Sequence, residues 1–213
     1  MKKLLIATNN KGKVKELREL LKDTGLELIT PADINLILEV EEDGQTYSEN
    51  AARKAIAFTH ASGFISLADD SGLEVDALDG APGLHSARYG PSLTLPPFSE
   101  KMGGDGGGWK DADRRAYLLE NLKDKPRPWT ARFHATIAIS VSGENVYIAE
   151  GNCYGEIIPD ERGTSGFGYD PVFYFPEFKK TMAEMDMEEK NRLSHRAVAV
   201  INATPILKKI FEL

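Results

Sequence analysis

The sequence predicts an α/β fold, and three observations support this prediction. Leu4–Ala7 is a short apolar run of the kind that forms a buried strand, and Leu26–Ile29 has the same character. Between these runs, apolar residues recur at helical spacing after the turn-forming segment Asn9–Gly12. Strand, turn, helix and strand in this order indicate the α/β class.

Two further helices are predicted in the first two thirds of the chain. Thr46 and Glu49 have the spacing of a capping box, which opens a helix over residues 48–62. Residues 111–122 are predicted to form another helix. The first helix, which follows the turn, places four apolar side chains on one face: Val14, Leu17, Leu20 and Leu21.

The clearest strand pattern lies after these helices. Residues 130–141 and 145–150 flank the turn signal Ser142-Gly143-Glu144 and predict a β-hairpin. Residues 73–78 alternate apolar and acidic side chains, which predicts an edge strand, and residues 155–158 predict a further strand.

Helices are expected again towards the C-terminus. Residues 182–190 have a helical pattern, and Ser194 is a suitable cap for a final helix. Within that helix, Pro205 predicts a kink or a break.

Residues 90–110 differ from the rest of the chain, because three prolines precede a glycine-rich run at Gly103–Gly108. Such a stretch cannot hold regular structure for long, which predicts a surface flap or insertion. The run lacks the Lys-Ser/Thr that follows the glycines of a P-loop, so we do not expect a P-loop here.

Composition limits the possible functions. The chain has 213 residues, of which 41% are hydrophobic, and shows neither an internal repeat nor a clear linker, so we expect residues 1–213 to form one domain. The formal net charge of −7 argues against a nucleic-acid-binding protein, which usually carries a basic stripe. This charge still permits a small phosphate ligand held by a few local cations.

The location is predicted from what the chain lacks. No apolar stretch approaches the length of about 20 residues that a membrane helix requires. The apolar run after Lys2 and Lys3 stops at Thr8, too early for a signal-peptide core. The single cysteine, Cys153, excludes an intramolecular disulfide. We therefore expect a cytoplasmic protein with no membrane partner.

Two adjacent acids, Asp69 and Asp70, come where an apolar run ends, before the turn residues Ser71 and Gly72. We expect the pair at the end of a strand, with the two side chains pointing in opposite directions, because side chains alternate along an extended chain. A carboxylate in that position is suited to binding a divalent cation or to taking a proton from water. The alternative is a loop that carries two solvated acids.

Two more segments have polar residues that suit a phosphate. Thr8–Lys13 lies between a predicted strand and a helix N-terminus, where backbone N–H groups and the helix dipole favour an anion. An ordinary polar loop is the alternative. The acidic residues Glu41 and Glu42 precede the helix that carries Lys54, although acids near a helix start are common for dipole reasons alone.

Two segments near the C-terminus suit a nucleotide base. Gly163–Pro171 has glycines around two aromatic side chains, which allows close backbone approach and stacking, unless the aromatic rings fill the core. Lys190 and Ser194-His195-Arg196 offer N–H donors for a phosphate or a carbonyl oxygen, unless they belong to a capped surface helix.

Together these segments closely resemble the Ham1/RdgB family, the inosine/xanthosine triphosphate pyrophosphatases. One such match is weak, but six in the family's order argue strongly against coincidence. The six matching pieces span nearly the whole chain: Thr8–Lys13; Glu49-Asn50-Ala51 with Lys54; Ala68–Leu73; Gly80–Gly83 with Ser86–Tyr89; Gly166–Pro171; and Ser194–Arg196.

The resemblance implies an enzyme that cleaves noncanonical purine nucleoside triphosphates (ITP, dITP and XTP) between the α and β phosphates. The products are the monophosphate and pyrophosphate, Mg²⁺ is required, and the nucleotide pool is cleared of these compounds. The implied fold is a long, twisted mixed sheet flanked by helices, in two lobes with the active-site cleft between them. Family members are usually homodimers.

The resemblance also implies roles for residues of this chain. Asp70 would be the general base and would contact Mg²⁺, with Glu42 as a metal ligand and Asp69 as a helper. His195 or Arg196 would donate a hydrogen bond to the purine O6. The triphosphate would be held by Thr8, Asn9, Asn10, Lys11, Gly12, Lys13, Lys54 and Ser71; the base pocket would be Phe167, Gly168, Tyr169 and Asp170, with Phe167 stacking; and Lys190, His195 and Arg196 would close the site.

One departure and two alternatives stay open. Family members typically have a short polar stretch where this chain has the long Gly/Pro-rich residues 91–110. A Maf-like pyrophosphatase acting on dTTP or UTP is one alternative, although the Ser-His-Arg and Phe-Gly-Tyr-Asp segments match the purine family better. A nucleotide sensor without hydrolysis is the other.

Overall fold

In the computed structural model, which describes residues 2–91, 109–142 and 145–212, helices and strands alternate over the first third of the chain. The strands are β1 (Lys3–Ile6), β2 (Glu27–Ile29), β3 (Ser66–Val75), β4 (Trp129–Ser142), β5 (Asn145–Ile157), β6 (Phe173–Phe175) and β7 (Lys180–Thr181). The α-helices are α1 (Lys11–Leu21), α2 (Tyr47–Ser62), α3 (Asp111–Leu122), α4 (Met187–Leu193) and α5 (His195–Phe211).

Within the described residues, seven strands form one sheet in the order β2-β1-β3-β4-β5-β6-β7. β1 is parallel to both of its neighbours, with Leu5 aligned to Ile29 of β2 and to Ser66 of β3. At the other edge, β6 is antiparallel to both β5 and β7. The mixed α/β sheet predicted from the sequence is therefore confirmed.

The chain divides into two compact units. Unit 1 comprises Met1–Ser71, Ala135–Asn152 and Leu193–Leu213. Unit 2 comprises Gly72–His134 and Cys153–Arg192. Strands β3, β4 and β5 each contribute residues to both units. A single domain with a cleft between its lobes stays a prediction.

In unit 1, side-chain alternation places helices on both faces of β1. Leu4 and Ile6 belong to a cluster that includes residues of α1 and α5, whereas Leu5 and Ala7 belong to a cluster that includes residues of α2. The helical members of the first cluster are Leu17, Leu21, Ala199, Val200, Ala203, Leu207 and Phe211, and those of the second are Ala51, Ala55 and Phe58.

Aromatic rings form part of the core of unit 2. Phe173 packs against Phe133 and Phe175, with ring centroids 4.7 Å and 5.2 Å apart. Helix α3 contributes Leu118 and Leu122, which are fully buried. The α3 prediction over residues 111–122 is confirmed.

The predicted helix caps are also confirmed. The hydroxyl of Thr46 accepts a hydrogen bond from the N–H of Glu49 at 3.1 Å at the start of α2. The reciprocal bond of the capping box is shifted by one residue: the Glu49 carboxylate accepts from the N–H of Gln45 instead of that of Thr46. Ser194 caps α5 by accepting from the N–H of Ala197 at 3.2 Å.

The position of the acidic pair corrects the sequence prediction. Asp69 and Asp70 lie in the middle of β3, because this strand continues through Ser71 and Gly72 to Val75. Its last aligned pair with β1, however, is Leu67 with Ile6. Asp69 and Asp70 therefore lie just beyond the end of the parallel β1–β3 ladder, where β1 no longer pairs with β3.

Several other boundaries differ from the predictions. Residues 73–75 continue β3, which is internal to the sheet rather than an edge, and Asp76–Leu78 form a 3₁₀ helix. Residues 155–157 continue β5 instead of forming a new strand. The predicted helix over 182–190 is a 3₁₀ helix, Met182–Glu184, followed by α4. Helix α5 runs through Pro205 without a break.

Two sequence predictions fall partly outside the described residues. Residues 92–108 of the predicted flap are not among them, nor are Gly143 and Glu144 of the predicted hairpin turn. None of the described helices combines the length and the hydrophobicity needed to cross a membrane.

Candidate active site

The segment Thr8–Lys13 connects β1 to the first turn of α1. The side chain of Asn10 caps this helix by accepting a hydrogen bond from the N–H of Lys13 at 3.0 Å. The hydroxyl of Thr8 accepts from the N–H of Asn10 at 3.2 Å. These bonds fix the loop at a helix N-terminus, a position that favours anions.

Asp69 is enclosed by cations. Nε and Nη2 of Arg196 donate to its two carboxylate oxygens at 3.0 Å and 3.2 Å, and Nζ of Lys13 lies 2.5 Å from Oδ1. The hydroxyl of Ser71 donates to the same carboxylate at 3.2 Å. Burial alone raises the pKa of Asp69, but the charges of Arg196 and Lys13 outweigh burial and hold the pKa well below its ordinary value.

Arg196 is equally buried, with its side chain 2% exposed. Nη1 donates to Glu16 of α1, a carboxylate that is also buried, and Nη2 donates to Ser71 at 3.0 Å. Each of its terminal nitrogens thus bonds a protein acceptor. These contacts give Arg196 a role in holding Asp69, and its recognition of the purine stays a prediction.

Asp70 points away from this cluster, as the alternation along β3 predicts. Its Oδ1 lies 3.6 Å from Nζ of Lys54, and it is hydrogen-bonded by the side chain of Asn50. Desolvation raises the pKa of Asp70 above its ordinary value, Glu42 adds to the effect, and Lys54 and Lys13 oppose it. A carboxylate with a raised pKa is a better proton acceptor.

Helix α2 organises the acidic segment before it. Lys54 is buried on this helix, and its Nζ donates to Glu42 and to the backbone carbonyl of Asp69, both at 2.9 Å. Burial lowers the pKa of Lys54, but the charges of Asp70 and Glu42 raise it more, so the ammonium group stays charged. The side chain of Asn50 accepts from the N–H of Gly44 at 2.8 Å, which ties the acidic segment to the helix.

The donor set can be compared with the needs of Mg²⁺, which commonly uses one or two carboxylates and completes its shell with water and substrate phosphates. Glu42 and Asp70 provide two such carboxylates, whose nearest oxygens lie 2.9 Å and 3.6 Å from Nζ of Lys54. In the described part of the chain, no three His, Cys, Asp or Glu side chains are grouped to hold a metal by themselves. The set therefore suits a cation shared with phosphate oxygens, while the bonded oxygens of Asp69 suit a supporting role.

In unit 2, the predicted base-binding segment is held from within by Asp170. Its Oδ2 accepts from the N–H of Phe167 at 3.0 Å and from Nζ of Lys190 at 2.6 Å. Nζ of Lys190 also lies 5.4 Å from the centroid of the Phe167 ring. Gly166 is required beside this pair, because it has a φ of +79° and an added Cβ would lie 1.9 Å from the Asp170 carboxylate.

Tyr169 anchors the same segment. Its hydroxyl donates to the backbone carbonyl of Ser86 at 2.9 Å, and the residue is 4% exposed. Burial raises the pKa of Tyr169 above its ordinary value, so the phenol stays protonated.

The structure brings together part of the predicted set within each unit. His195 opens α5 and is buried, while the side chains of Asn9 and Lys11 are exposed and Gly12 is half-buried. Their predicted roles stay predictions. The unit 1 cluster joins Lys13, Glu42, Lys54, Asp69, Asp70, Ser71 and Arg196, and the unit 2 cluster joins Phe167, Asp170 and Lys190.

Sequence reasoning missed two residues that bond members of the unit 1 cluster. Glu16 lies in α1 beside Leu17 and has the pattern of a solvent-exposed acid, so nothing in the sequence indicates its pairing with Arg196. Asn50 belongs to a matched motif but was given no role, although its spacing from Lys54 places both on one helix face.

The fold and the unit 1 cluster define an α/β protein in which carboxylates and lysines converge at the part of β3 that extends beyond its pairing with β1. Such a site is suited to binding phosphate and activating water. The chain belongs to the Ham1 family, whose family model matches residues 4–205.

Similar proteins match nearly the whole chain. The dITP/XTP pyrophosphatase of Desulforamulus reducens is 46% identical over 210 residues, which are 98% of this chain and 97% of that protein. The dITP/XTP pyrophosphatase of Clostridium perfringens is 42% identical over 219 residues and covers 100% of both chains.

Solved structures of the family confirm the fold. The Staphylococcus aureus Ham1 protein has a TM-score of 0.79 at 34% identity, covering 98% of this chain and 99% of that one. The HAM1 protein from Coxiella burnetii has a TM-score of 0.80 at 36% identity, covering 98% and 100%.

Proposed function

We propose that this protein is a nucleoside triphosphate pyrophosphatase that hydrolyses ITP, dITP and XTP to the monophosphate and pyrophosphate. The observation that carries this proposal is the cluster around Asp70, a carboxylate with a raised pKa beside the charged Lys54 and next to Glu42. Two relatives, 46% and 42% identical over 97% and 100% of their own length, bear the name dITP/XTP pyrophosphatase, which supports the same substrate class.

In the proposed reaction, Asp70 accepts a proton from the attacking water as the water oxygen bonds to phosphorus. The anhydride bond between the α and β phosphates then breaks, and its electron pair stays with the leaving pyrophosphate. Lys54 and Lys13 are placed to stabilise the negative charge that builds up on the phosphoryl oxygens. The N-terminus of α1 favours an anion such as the triphosphate, and the side chains of Thr8 and Asn10 fix the loop that leads into it.

Mg²⁺ belongs to the proposal as its cofactor. Glu42 and Asp70 would hold it, and when bound it would neutralise phosphate charge and polarise the bond to be broken. Asp69 keeps a separate task, because it orients Lys13 and Arg196 through buried ion pairs. The net charge of −7 is then no obstacle to an anionic substrate, because the lysines and the bound cation would supply positive charge at the site itself.

We assign the purine base to Phe167–Asp170 of unit 2. The Phe167 ring offers a stacking face. Hypoxanthine and xanthine carry an O6 acceptor, whereas adenine carries an amino donor there, so a donor from the protein accepts the first two and rejects the third. Because Arg196 is held by Asp69 and Glu16, we assign this donor to His195. Such a site discriminates by about 10⁴-fold.

Assembly and location complete the proposal. The family resemblance points to a homodimer in the cytoplasm that acts on a small nucleotide and on neither nucleic acid nor membranes. Light scattering of the purified protein measures its molar mass in solution. The mass of a monomer would contradict the proposed dimer.

The test is pyrophosphate release from ITP, XTP, GTP, ATP and dTTP, with and without Mg²⁺. We expect metal-dependent pyrophosphate from ITP and XTP and little from GTP or ATP. Release of free phosphate would mean cleavage at the γ position. A preference for dTTP would favour the Maf-like alternative, and binding of ITP without turnover would favour a sensor.

A further inference from the structure

Helix α3 holds both polar backbone groups of Gly168. The carboxylate of Asp111, the first residue of α3, accepts from the N–H of Gly168 at 2.6 Å. One turn later on the same helix, Nη1 of Arg115 donates to the carbonyl oxygen of Gly168 at 2.8 Å. Both bonds have a charged partner, which makes them stronger than bonds between neutral groups.

Arg115 is itself held in place. Its Nε and Nη2 donate to the two carboxylate oxygens of Glu161, each at 2.9 Å, in the bidentate geometry that suits a guanidinium group. The Arg115 side chain is 12% exposed, whereas that of Glu161 is 43% exposed. The Gly168 contact is therefore on the more buried side of this ion pair.

Gly168 is the neighbour of the ring assigned to stacking. Its φ of +61° is a conformation that residues with a side chain rarely adopt, so the local chain direction depends on this glycine. The peptide before it carries Phe167, whose N–H and carbonyl groups both bond Asp170. With Asp170 bonding Phe167 and helix α3 bonding Gly168, consecutive polar groups along this backbone have partners.

We propose that Asp111 and Arg115 are positioning residues for base recognition, which hold the Gly168 backbone and thereby fix the direction of the Phe167 ring. This inference rests on the proposed function, since it concerns the base of the same substrate. Neither residue is required for the chemistry in unit 1, so their loss is expected to act on substrate binding and selectivity rather than on the chemical step.

The test compares Arg115→Ala and Asp111→Ala with the unchanged protein, using steady-state kinetics on ITP and ATP and binding of IMP without metal. Loss of one charge-assisted hydrogen bond is expected to raise KM for ITP and Kd for IMP by about tenfold. We expect kcat for ITP to stay within about twofold, and the ratio of kcat/KM for ITP to kcat/KM for ATP to become smaller.

Three control variants separate positioning from a general loss of structure. Asp111→Asn keeps an oxygen acceptor for the Gly168 N–H and is expected to recover most of the binding that Asp111→Ala loses. Glu161→Gln weakens the outer ion pair but leaves the bond from Arg115 to Gly168. Arg132→Gln removes a comparable arginine–glutamate pair, with Glu74, that has no bond to this segment.

The outcomes are distinguishable. Raised KM and Kd in the two alanine variants, with Arg132→Gln unchanged and Glu161→Gln affected less than Arg115→Ala, support the positioning role. Unchanged KM, Kd and selectivity in folded Arg115→Ala and Asp111→Ala overturn it while leaving the proposed function intact, and so does a loss in kcat alone. Failure of the unchanged protein both to hydrolyse ITP and to bind IMP overturns the proposed function and this inference together. If Arg115→Ala does not fold, Asp111→Ala decides.

Discussion

Asp69 and Asp70 are adjacent in β3, yet their environments shift their pKa values in opposite directions. Asp69 faces Arg196 and Lys13, whose charges lower its pKa, whereas Asp70 faces a buried site where desolvation raises its pKa. The cause is the alternation of side chains along a strand with helices on both faces. Neighbouring acids therefore divide into a charged anchor, Asp69, and a carboxylate whose raised pKa suits the proposed role of proton acceptor, Asp70.

Asp70→Asn is expected to lower kcat for ITP by about 10²–10⁴-fold, the range for loss of a general base. The variant is expected to fold, because burial disfavours the charged form of Asp70 and a neutral amide of the same shape avoids that cost. Pyrophosphate release and thermal unfolding measure the two effects. Asp124→Asn, at an exposed acid, is the control, and near-normal turnover of Asp70→Asn would remove Asp70 from the base role.

Arg196→Met is expected to lower the free energy of unfolding by about 3–5 kcal/mol, because Asp69 and Glu16 would be left buried without their cation. Urea unfolding measures this loss. Arg192→Met, which removes the exposed ion pair with Glu188, is the matched control and is expected to change little. Equal effects of the two substitutions would contradict the anchoring role of Arg196.

At the scale of elements, α2 has the widest influence on the candidate site. It carries Lys54 and Asn50, the first bonded to Glu42 and the second to the backbone of Gly44. The helix thus arranges an acidic segment that has no regular structure of its own. Its N-terminus depends on the Thr46 cap.

Thr46→Ala is expected to lower the free energy of unfolding by about 1 kcal/mol, the usual cost of a lost N-cap. The physical reason is the N–H of Glu49, which loses its acceptor at the helix start. Urea unfolding of the variant measures the effect. Thr46→Ser keeps the hydroxyl and is expected to retain most of the stability, so equal losses in both variants would argue against the cap.

At the scale of the whole molecule, stability at acid pH is expected to depend on the buried ion pairs. The pKa of Asp69 is lower in the folded protein than in the unfolded chain, where it is about 3.9. As the pH falls below the pKa of Asp69 in the unfolded chain, the unfolded chain therefore binds more protons than the folded protein does. The contribution of Asp69 is therefore complete above that value and is lost progressively below it.

We accordingly expect the free energy of unfolding to fall between about pH 5 and pH 3, and to fall less steeply in Asp69→Asn. The variant lacks the titrating group, so the difference between the two curves isolates Asp69 from other acids. Urea unfolding at a series of pH values measures both. Parallel curves would contradict the lowered pKa of Asp69.

Much of the architecture was predictable because it depends on neighbours in the sequence. Helix α1 follows from apolar spacing and α2 from its capping box, and the caps Thr46 and Ser194 bond N–H groups three residues ahead. The main error concerns the acidic pair. Ser71 and Gly72 have the composition of a turn, but they lie inside β3, whose pairing with distant strands of the sheet is not encoded in the local sequence.

The sequence by itself determined the α/β class, the segments of the candidate site and the family, since spacing and short motifs encode all three. Only the tertiary structure decided the partners within the site. Arg196 meets Glu16 from 180 positions away, and Gly168 meets Asp111 from 57 positions away. Such pairs depend on how helices pack on a sheet, and local periodicity carries no information about which distant charge a buried side chain will meet.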